Sequence, residues 1–527
     1  MITCYRGNSE RLSPCKTNRP AALTCKDQTE RAKSMNSTQN SENSSLLFPL
    51  SDLTWDHFIY PRGSKSDKTI SAYVESLAMG AEFPPITIQR VFNYPSGNET
   101  IEATVIVDGI NRWHAFRERG IKNIPAVAWN ETPIDYEKHK VALLLQSAQC
   151  NTSHGDRLSA TDKKRVARDI ASQDGECRWP EAALAEKLGI TQQTVHIWIS
   201  DIRARQKANR DTIILRLSHL GWKQEKIADI VGVSRNRISE IVGNTNFCNI
   251  DILLSRGHDM EYIARHYNMD LALAWTLRLE GKEDQERFRE LGWGLRTWDQ
   301  WNFNECDERF GDDWPGRIPA QLVAHTLFYF TQPGDLVLDP MAGGGVVPDV
   351  CMIFERKCRA FDMVPSDNRP EITCHYWDPR DWKWPMARKP DLIFFDPPYF
   401  TKKEKEYREK ATEKTPSISS YTKEDYEQFL EGFFLMAHEQ SKETTRMAFL
   451  NADWRDFQST AAIKEKPDRS ITIFDYHRLL SQTGWETTHR VECPLSTERL
   501  TGNEVQKMQD TRILGTVGRT LLIAERT

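Results

Sequence analysis

Asp396-Pro397-Pro398-Tyr399 is the stretch with the clearest chemical content in the chain. It follows DLIFF, a short apolar run of buried-strand type, and the aromatic Phe400 comes directly after it. Open α/β sheets bind ligands beyond the C-terminal ends of their parallel strands, so Asp396 is expected at the mouth of a site. Two consecutive prolines fix φ and remove two amide donors, leaving rigid carbonyls. The exocyclic amine of a nucleic-acid base is a poor nucleophile, because its lone pair is delocalised into the ring. A carboxylate and a carbonyl that each accept one amine hydrogen favour the pyramidal nitrogen on which positive charge develops. Asp396, the carbonyl of Pro397, and the aromatic faces of Tyr399 and Phe400 are the candidates for this chemistry. Read alone, the tetrapeptide is also an acceptable strand-ending turn.

A second constellation lies upstream. DPMAGGG, Asp339 to Gly345, follows the apolar run DLVLD. Glycines at the start of a helix let backbone approach a ligand. Asp362 ends the next apolar run, RAFD, 23 residues after Asp339. An acidic residue at about that remove binds ribose hydroxyls in nucleotide sites of this topology.

Together these residues resemble the amino-group DNA methyltransferases that modify adenine N6 or cytosine N4, over roughly residues 300–527. PGRIPAQLVAHTLFYFTQPGDLVLDPMAGGG is similar to that family's methionine-side motif running into its first cofactor motif. The resemblance implies S-adenosylmethionine as cofactor. It places Asp339, Pro340, Gly343 and Gly345 around the methionine moiety, Asp362 on the ribose and Asp378 near the adenine. It makes Asp396, Pro397, Pro398 and Tyr399 catalytic and puts Phe400 against the base. Met341 stands where the family often has Phe. DPPY is more usual for adenine, and cytosine-N4 and RNA methyltransferases remain alternatives. The family's separate target-recognition segment has little room here. After Tyr399 come the charged stretch KKEKEYREK and then core elements.

The elements that must position these residues form an α/β pattern from about residue 315, with helices near 346–356, 423–442 and 472–482. Residues 485–525 read as an antiparallel pair at the sheet edge. Upstream, residues 157–280 read as helix and repeat internally. Ala185, Gly189 and Val195 share their spacings with Ala228, Gly232 and Ile238, and again with Ala264, Asn268 and Ala274. A small residue, a turn residue tolerant of positive φ, then an apolar residue is a helix-turn-helix pattern. The first two units begin their second helices with polar residues. Gln192, Gln193, Arg235, Asn236 and Arg237 are therefore candidates to reach base edges or phosphates. The third, beginning DLALAW, is expected to pack against a neighbour.

VDGINRWHAFRERGIKNIPAV, Val107 to Val127, resembles the ParB/sulfiredoxin-like N-terminal domain over residues 49–150. That resemblance makes Gly109 and Arg112 a possible nucleotide contact. The family's later Asn-Gln-Arg stretch is replaced here by NTSHGDRLS.

Composition sets the frame. A 527-residue chain allows about three to four domains. The expected class is a multidomain chain: a Ser/Asn-rich tail over 1–48, an α+β ParB-like domain over 49–150, an all-α helix-turn-helix middle over 151–285, and an α/β Rossmann-like methyltransferase domain over 286–527. Residues 157–245 carry 16 Lys and Arg against 11 Asp and Glu, an excess of five in a chain whose net charge is −5. Such a basic middle suits a polyanion. Eleven cysteines without a C-x-x-C pair give no metal module and no disulfide framework. No metal is expected. No apolar run approaches the roughly 20 residues of a membrane span. Expected partners are double-stranded DNA, with no membrane and homodimerisation left open; the expected location is cytoplasmic. The competing reading is a ParB-like DNA-binding regulator or partition factor with a vestigial methylase domain.

Overall fold

A computed structural model describes residues 46–97, 99–153, 157–173, 179–243, 250–303, 305–399, 417–454, 471–494, 502–512, 514 and 518–527. Phe400 and the charged stretch after it lie outside these residues, as does nearly all of the expected tail. The chain divides into two compact units, 1–206 and 207–527.

The first unit opens with a mixed sheet. Its strands are β1 (Leu46–Pro49), β2 (Leu53–Thr54), β3 (Ile86–Ser96), β4 (Glu99–Asp108), β5 (Asn123–Ala128) and β6 (Ile134–Asp135). Their order is β1-β5-β3-β4-β2, with β6 on β3. The tail expected to run to residue 48 therefore ends earlier: Leu46 to Phe48 pair antiparallel with Ala126 to Ile124. Helices α1 (Asp67–Ala78) and α2 (Ile110–Glu118) accompany the sheet. Ser66 caps α1 by accepting from the Thr69 amide. Further helices follow: α3 (Tyr136–Ser153), α4 (Ala160–Gln173), α5 (Glu181–Leu188) and α6 (Gln192–His219), the last crossing the division at 206. Leu144, Ala148, Ile170, Leu184, Val195 and Ile199 share one buried core.

The second unit begins with helices: α7 (Gln224–Val231), α8 (Arg235–Gly243), α9 (Ile250–Ser255), α10 (Met260–Tyr267), α11 (Leu271–Leu279) and α12 (Asp284–Glu290). The repeated spacing has the expected geometry in all three pairs. Gly189, Gly232 and Asn268 each cap the first helix in the left-handed region. Val195, Ile238 and Ala274 are buried one helix later. Asn268 is the substitution that region tolerates best after glycine.

The α/β layer follows. Its helices are α13 (Ala320–Phe330), α14 (Val346–Ile353), α15 (Lys423–Glu439), α16 (Ile473–Gln482) and α17 (Gly502–Thr511). Its strands are β7 (Leu336–Asp339), β8 (Lys357–Asp362), β9 (Ile372–Cys374), β10 (Leu392–Phe395), β11 (Arg446–Asn451), β12 (Trp485–Pro494) and β13 (Gly518–Arg526). The order is β12-β13-β11-β10-β7-β8-β9. Strands β9, β8, β7, β10 and β11 run parallel, and β13 runs antiparallel to both β11 and β12. The expected terminal pair is present, with β13 inside the sheet and β12 at its edge.

Strand alternation explains how the layer is closed. Val337, Leu392, Phe394, Ala448, Leu521 and Ile523 face one core; Leu338, Ile393, Phe395, Phe449 and Leu522 face the other. The second core is covered by α15 and α16. The first takes in not only α13 and α14 but also Ile214, Leu217, Ile227, Ile238, Ile263 and Leu273. Helix α11 packs on α14, as its apolar sequence required. The boundary expected near residue 285 therefore gives way to one at 206/207. The apolar faces of residues 207–291 are spent on the sheet's helical layer. Among the described residues, no helix is long and apolar enough to cross a membrane.

Candidate functional site

β7 and β10 are neighbours, yet β7 leads to β8 on one side while β10 leads to β11 on the other. This is the topological switch point at which such sheets hold ligands. Asp339 ends β7 and Asp396 follows β10, so both motifs meet there. Between them opens a cavity of about 580 Å³. Asp339, Pro340, Gly343, Asp362, Asp396, Pro397, Pro398 and Tyr399 all line it.

The glycine turn is held from both sides. The Met341 amide donates to Asp339 at 3.3 Å, the Ala342 amide to the Phe361 carbonyl at 2.8 Å, and the Gly343 amide to Asp362 at 2.9 Å. Asp362 also accepts from the Val364 amide at 2.9 Å, so its carboxylate spans the turn and its own strand end. Trp314 lies on the turn: a Cβ on Gly343 (φ +49°) would come 2.8 Å from its indole nitrogen. Trp377 donates to the Pro340 carbonyl at 2.8 Å. Neither tryptophan was singled out by sequence, because their contacts join segments distant in the chain.

Two expected cofactor residues sit elsewhere. Gly345 is not on the cavity wall. It starts α14 at φ +85°, and a Cβ there would meet the Arg369 guanidinium at 3.1 Å. Asp378, expected near the adenine, is turned onto Arg380, with two contacts of 2.8 Å. Its neighbours Tyr376 and Trp377 line the cavity instead.

The catalytic tetrapeptide is backed by a buried polar chain. Tyr426 donates to the Pro398 carbonyl at 3.3 Å, Asn451 donates to the Tyr426 hydroxyl at 3.0 Å, and Tyr476 donates to Asn451 at 3.2 Å. Among the described residues no donor meets the Pro397 carbonyl. One carboxylate oxygen of Asp396 is buried without a partner among the described residues. Burial pushes the Asp396 carboxyl up to about 7, against the opposing influence of Arg519 and a hydrogen bond with Tyr399. Burial raises Asp339 well above the carboxylate range, and the charges of Asp396 and Asp362 add to this. Tyr399, expected to stack on a base, lines the cavity, and its hydroxyl hydrogen-bonds Asp396 and Arg519.

Four acidic residues, Asp313, Asp339, Asp362 and Asp396, thus line one cavity, and Asp339 and Asp396 are held above their ordinary range. Such a site favours a ligand that brings positive charge.

The expected nucleic-acid and nucleotide residues fare differently. Gln192 and Gln193 are exposed at the start of α6. Asn236 is exposed as well, but Arg235 pairs with Glu225 at 3.0 Å and Arg237 with Glu240 at 2.8 Å. Arg112 is already satisfied: it donates to the Pro84 and Pro85 carbonyls and to Asp108, the last at 2.7 Å. Gly109 (φ +101°) is required by packing, since a Cβ would lie 2.4 Å from Ile86 Cγ2. Both residues therefore serve the turn into α2, and their geometry offers a phosphate little.

Comparison with protein-family models finds no match, and neither does comparison with curated proteins. Among solved structures, a C-terminally truncated ParB from Caulobacter crescentus, complexed to the centromeric parS site, aligns at 14% identity. It covers 42% of this chain and 99% of its own, with a TM-score of 0.21. A TehB-like SAM-dependent methyltransferase from Corynebacterium glutamicum aligns at 11% identity, covering 39% and 87%, with a TM-score of 0.24. A 1,6-didemethyltoxoflavin-N1-methyltransferase from Burkholderia thailandensis, with bound S-adenosylhomocysteine, aligns at 10% identity, covering 40% and 76%, with a TM-score of 0.24. Scores this low carry no functional inference.

Proposed function

We propose that the chain is an S-adenosylmethionine-dependent methyltransferase acting on the exocyclic amine of a flipped base in double-stranded DNA, with adenine N6 as the target. The observation that carries the reading is Asp396, a half-buried residue with one buried carboxylate oxygen that has no partner among the described residues, on the same cavity wall as the Asp339–Gly343 turn. When bound, S-adenosylmethionine supplies a methyl group already activated by positive sulfur. Asp339 and Asp362 suit its cationic and hydroxyl groups, and the amides of the glycine turn are fixed beside them.

The protein's own part is orientation and proton handling. Asp396 accepts one amine hydrogen and the Pro397 carbonyl the other, aiming the nitrogen lone pair into the cavity. The Tyr426–Asn451–Tyr476 chain keeps the Pro398 peptide from shifting. As the amine becomes cationic, Asp396 is the nearest base to take its proton. Residues around Gln192 and Gln193 in the first helix pair hold DNA through polar and phosphate contacts, so binding weakens with salt. The target base leaves the stack to reach Asp396. The direct test is transfer of labelled methyl groups from S-adenosylmethionine to unmethylated duplex DNA, with no incorporation as the refuting result.

Two consequences are measurable at the site. Only the ionised Asp396 accepts a proton, so kcat/KM is expected to rise with pH through about 7. The same group sets a stability trend. Its folded value lies above its ordinary 3.8, so ionisation opposes folding, and this loss grows from about pH 4 to about pH 7. Asp396→Asn should therefore melt above wild type at pH 8, by at most about 4 kcal/mol, and equal it near pH 4. Matching melting curves at both pH values would contradict the burial of an ionisable Asp396. Separately, Gly343→Ala forces an L side chain into the left-handed region and against Trp314. It should weaken S-adenosylhomocysteine binding by about tenfold or more in calorimetry. Unchanged affinity would remove the turn from the cofactor site.

A further inference from the structure

Arg519 lies far along the chain from both motifs, near the start of the reversed strand β13. The sheet order brings it to the cavity wall beside Asp396 and Tyr399. Its side chain is 4% exposed, and its Nε has no partner among the described residues. The Tyr399 hydroxyl hydrogen-bonds both Arg519 and Asp396, joining a buried cation to a half-buried carboxylate. Among the described residues, Arg519 and Asp396 each keep one polar atom without a partner.

We propose that Arg519 is a positioning residue for methyl transfer: through Tyr399 it fixes the Asp396 carboxylate, and its charge keeps that carboxylate ionised when the amine arrives. This rests on the methyl-transfer reading of the cavity.

The surroundings leave the role to this residue. Asp339, at the end of β7, is itself held neutral by burial and by the charge of Asp396, so it supplies no opposing charge. Tyr426 from α15 and Tyr476 from α16 stand close by and are held neutral by burial. Cys493 on β12 borders Arg519, and burial keeps its thiol protonated, pushed up to about 12. Arg519 is the positive group that acts on Asp396. Burial works against the arginine's own charge, and Tyr399 and Asp396 restore it. The dependence runs chiefly one way: without Arg519 the Asp396 carboxylate has no opposing charge in its buried surroundings.

The test uses the full chain with Arg519→Met, Arg519→Lys, Asp396→Asn and the Arg519→Met/Asp396→Asn double variant. In the methyl-transfer pH profile, Arg519→Met should move the acid limb upward by about one unit or more. It should lower kcat at pH 7 by about tenfold or more, with S-adenosylhomocysteine affinity unchanged. Arg519→Lys, which keeps the charge, should recover most of the rate. An unmoved acid limb, or a lysine variant no better than methionine, overturns the proposal.

A second measurement needs no turnover. At pH 8, the melting temperature lost in Arg519→Met should be regained when Asp396 is also Asn. An equal loss in both backgrounds overturns the pairing, and it remains readable if Arg519→Met alone folds poorly. Recovery in the melts without methyl transfer by the wild type would leave the pair standing and remove the reaction assigned to it.

Discussion

Asp396→Ala is expected to abolish methyl transfer, lowering kcat by about 10³-fold or more, the scale on which loss of a single preorganised group acts. The reason is geometric. Asp396 is the one carboxylate at the DPPY turn, and one of its oxygens has no partner among the described residues. The glycine turn depends on Asp339 and Asp362 for its amide contacts, not on Asp396. S-adenosylhomocysteine should therefore bind the variant as well as the wild type, or better, since the substitution removes a buried charge. Single-turnover transfer with calorimetry on the same preparation checks both halves. Residual turnover near the wild-type rate would show that the amine is oriented by something other than Asp396.

The second large effect lies in the packing of the helices on the sheet. Arg216, near the end of α6, donates to Glu371 at 2.7 Å and to Asp349, and meets Asp270 at 3.2 Å. Arg369 joins the group, reaching Asp349 and Asp312 at 2.8 Å each. Burial works against the charge of Arg216, but Asp349, Glu371 and Asp270 outweigh it. Arg216→Met strands Asp349 and Glu371 in the core without their principal partner. Breaking a buried pair from one side costs about 3–5 kcal/mol, so the unit 207–527 should unfold at clearly lower denaturant. Asp349 also accepts from the Gly311 amide at 2.7 Å, and Arg369 packs on Gly345. Loosening this network should thus weaken cofactor binding as well as stability. An unchanged denaturation midpoint would mean that the network is neutral to folding.

Local patterns carried much of this fold. LVLD and LIFF are buried along their whole length, as apolar runs between turn residues imply. The three helix pairs were legible because a left-handed cap admits few residue types, and Gly189, Gly232 and Asn268 supplied them at equal spacing. What escaped depends on contacts between distant segments. Arg519 belongs to the site only because β13 is threaded beside β11. Arg216 reads as one more basic residue of a basic helix until Asp349 and Glu371 are seen around it. Arg112 has the composition of a phosphate contact, yet Asp108, four residues earlier at the end of β4, takes its guanidinium. Asp378 was assigned by position along the chain, and Arg380 two residues later determined where it points. The domain boundary moved for the same reason: amphipathic helices show an apolar face in sequence but not the surface it will cover.

The central claim is methyl transfer to an exocyclic base amine. It is tested most directly by incubating the full chain with isotopically labelled S-adenosylmethionine and unmethylated duplex DNA, digesting the DNA to nucleosides, and identifying the labelled species by mass. The expected result is labelled N6-methyl-2′-deoxyadenosine from the wild type and none from Asp396→Ala. Label at cytosine, label equally present in the Asp396→Ala reaction, or DNA that stays unlabelled would contradict it.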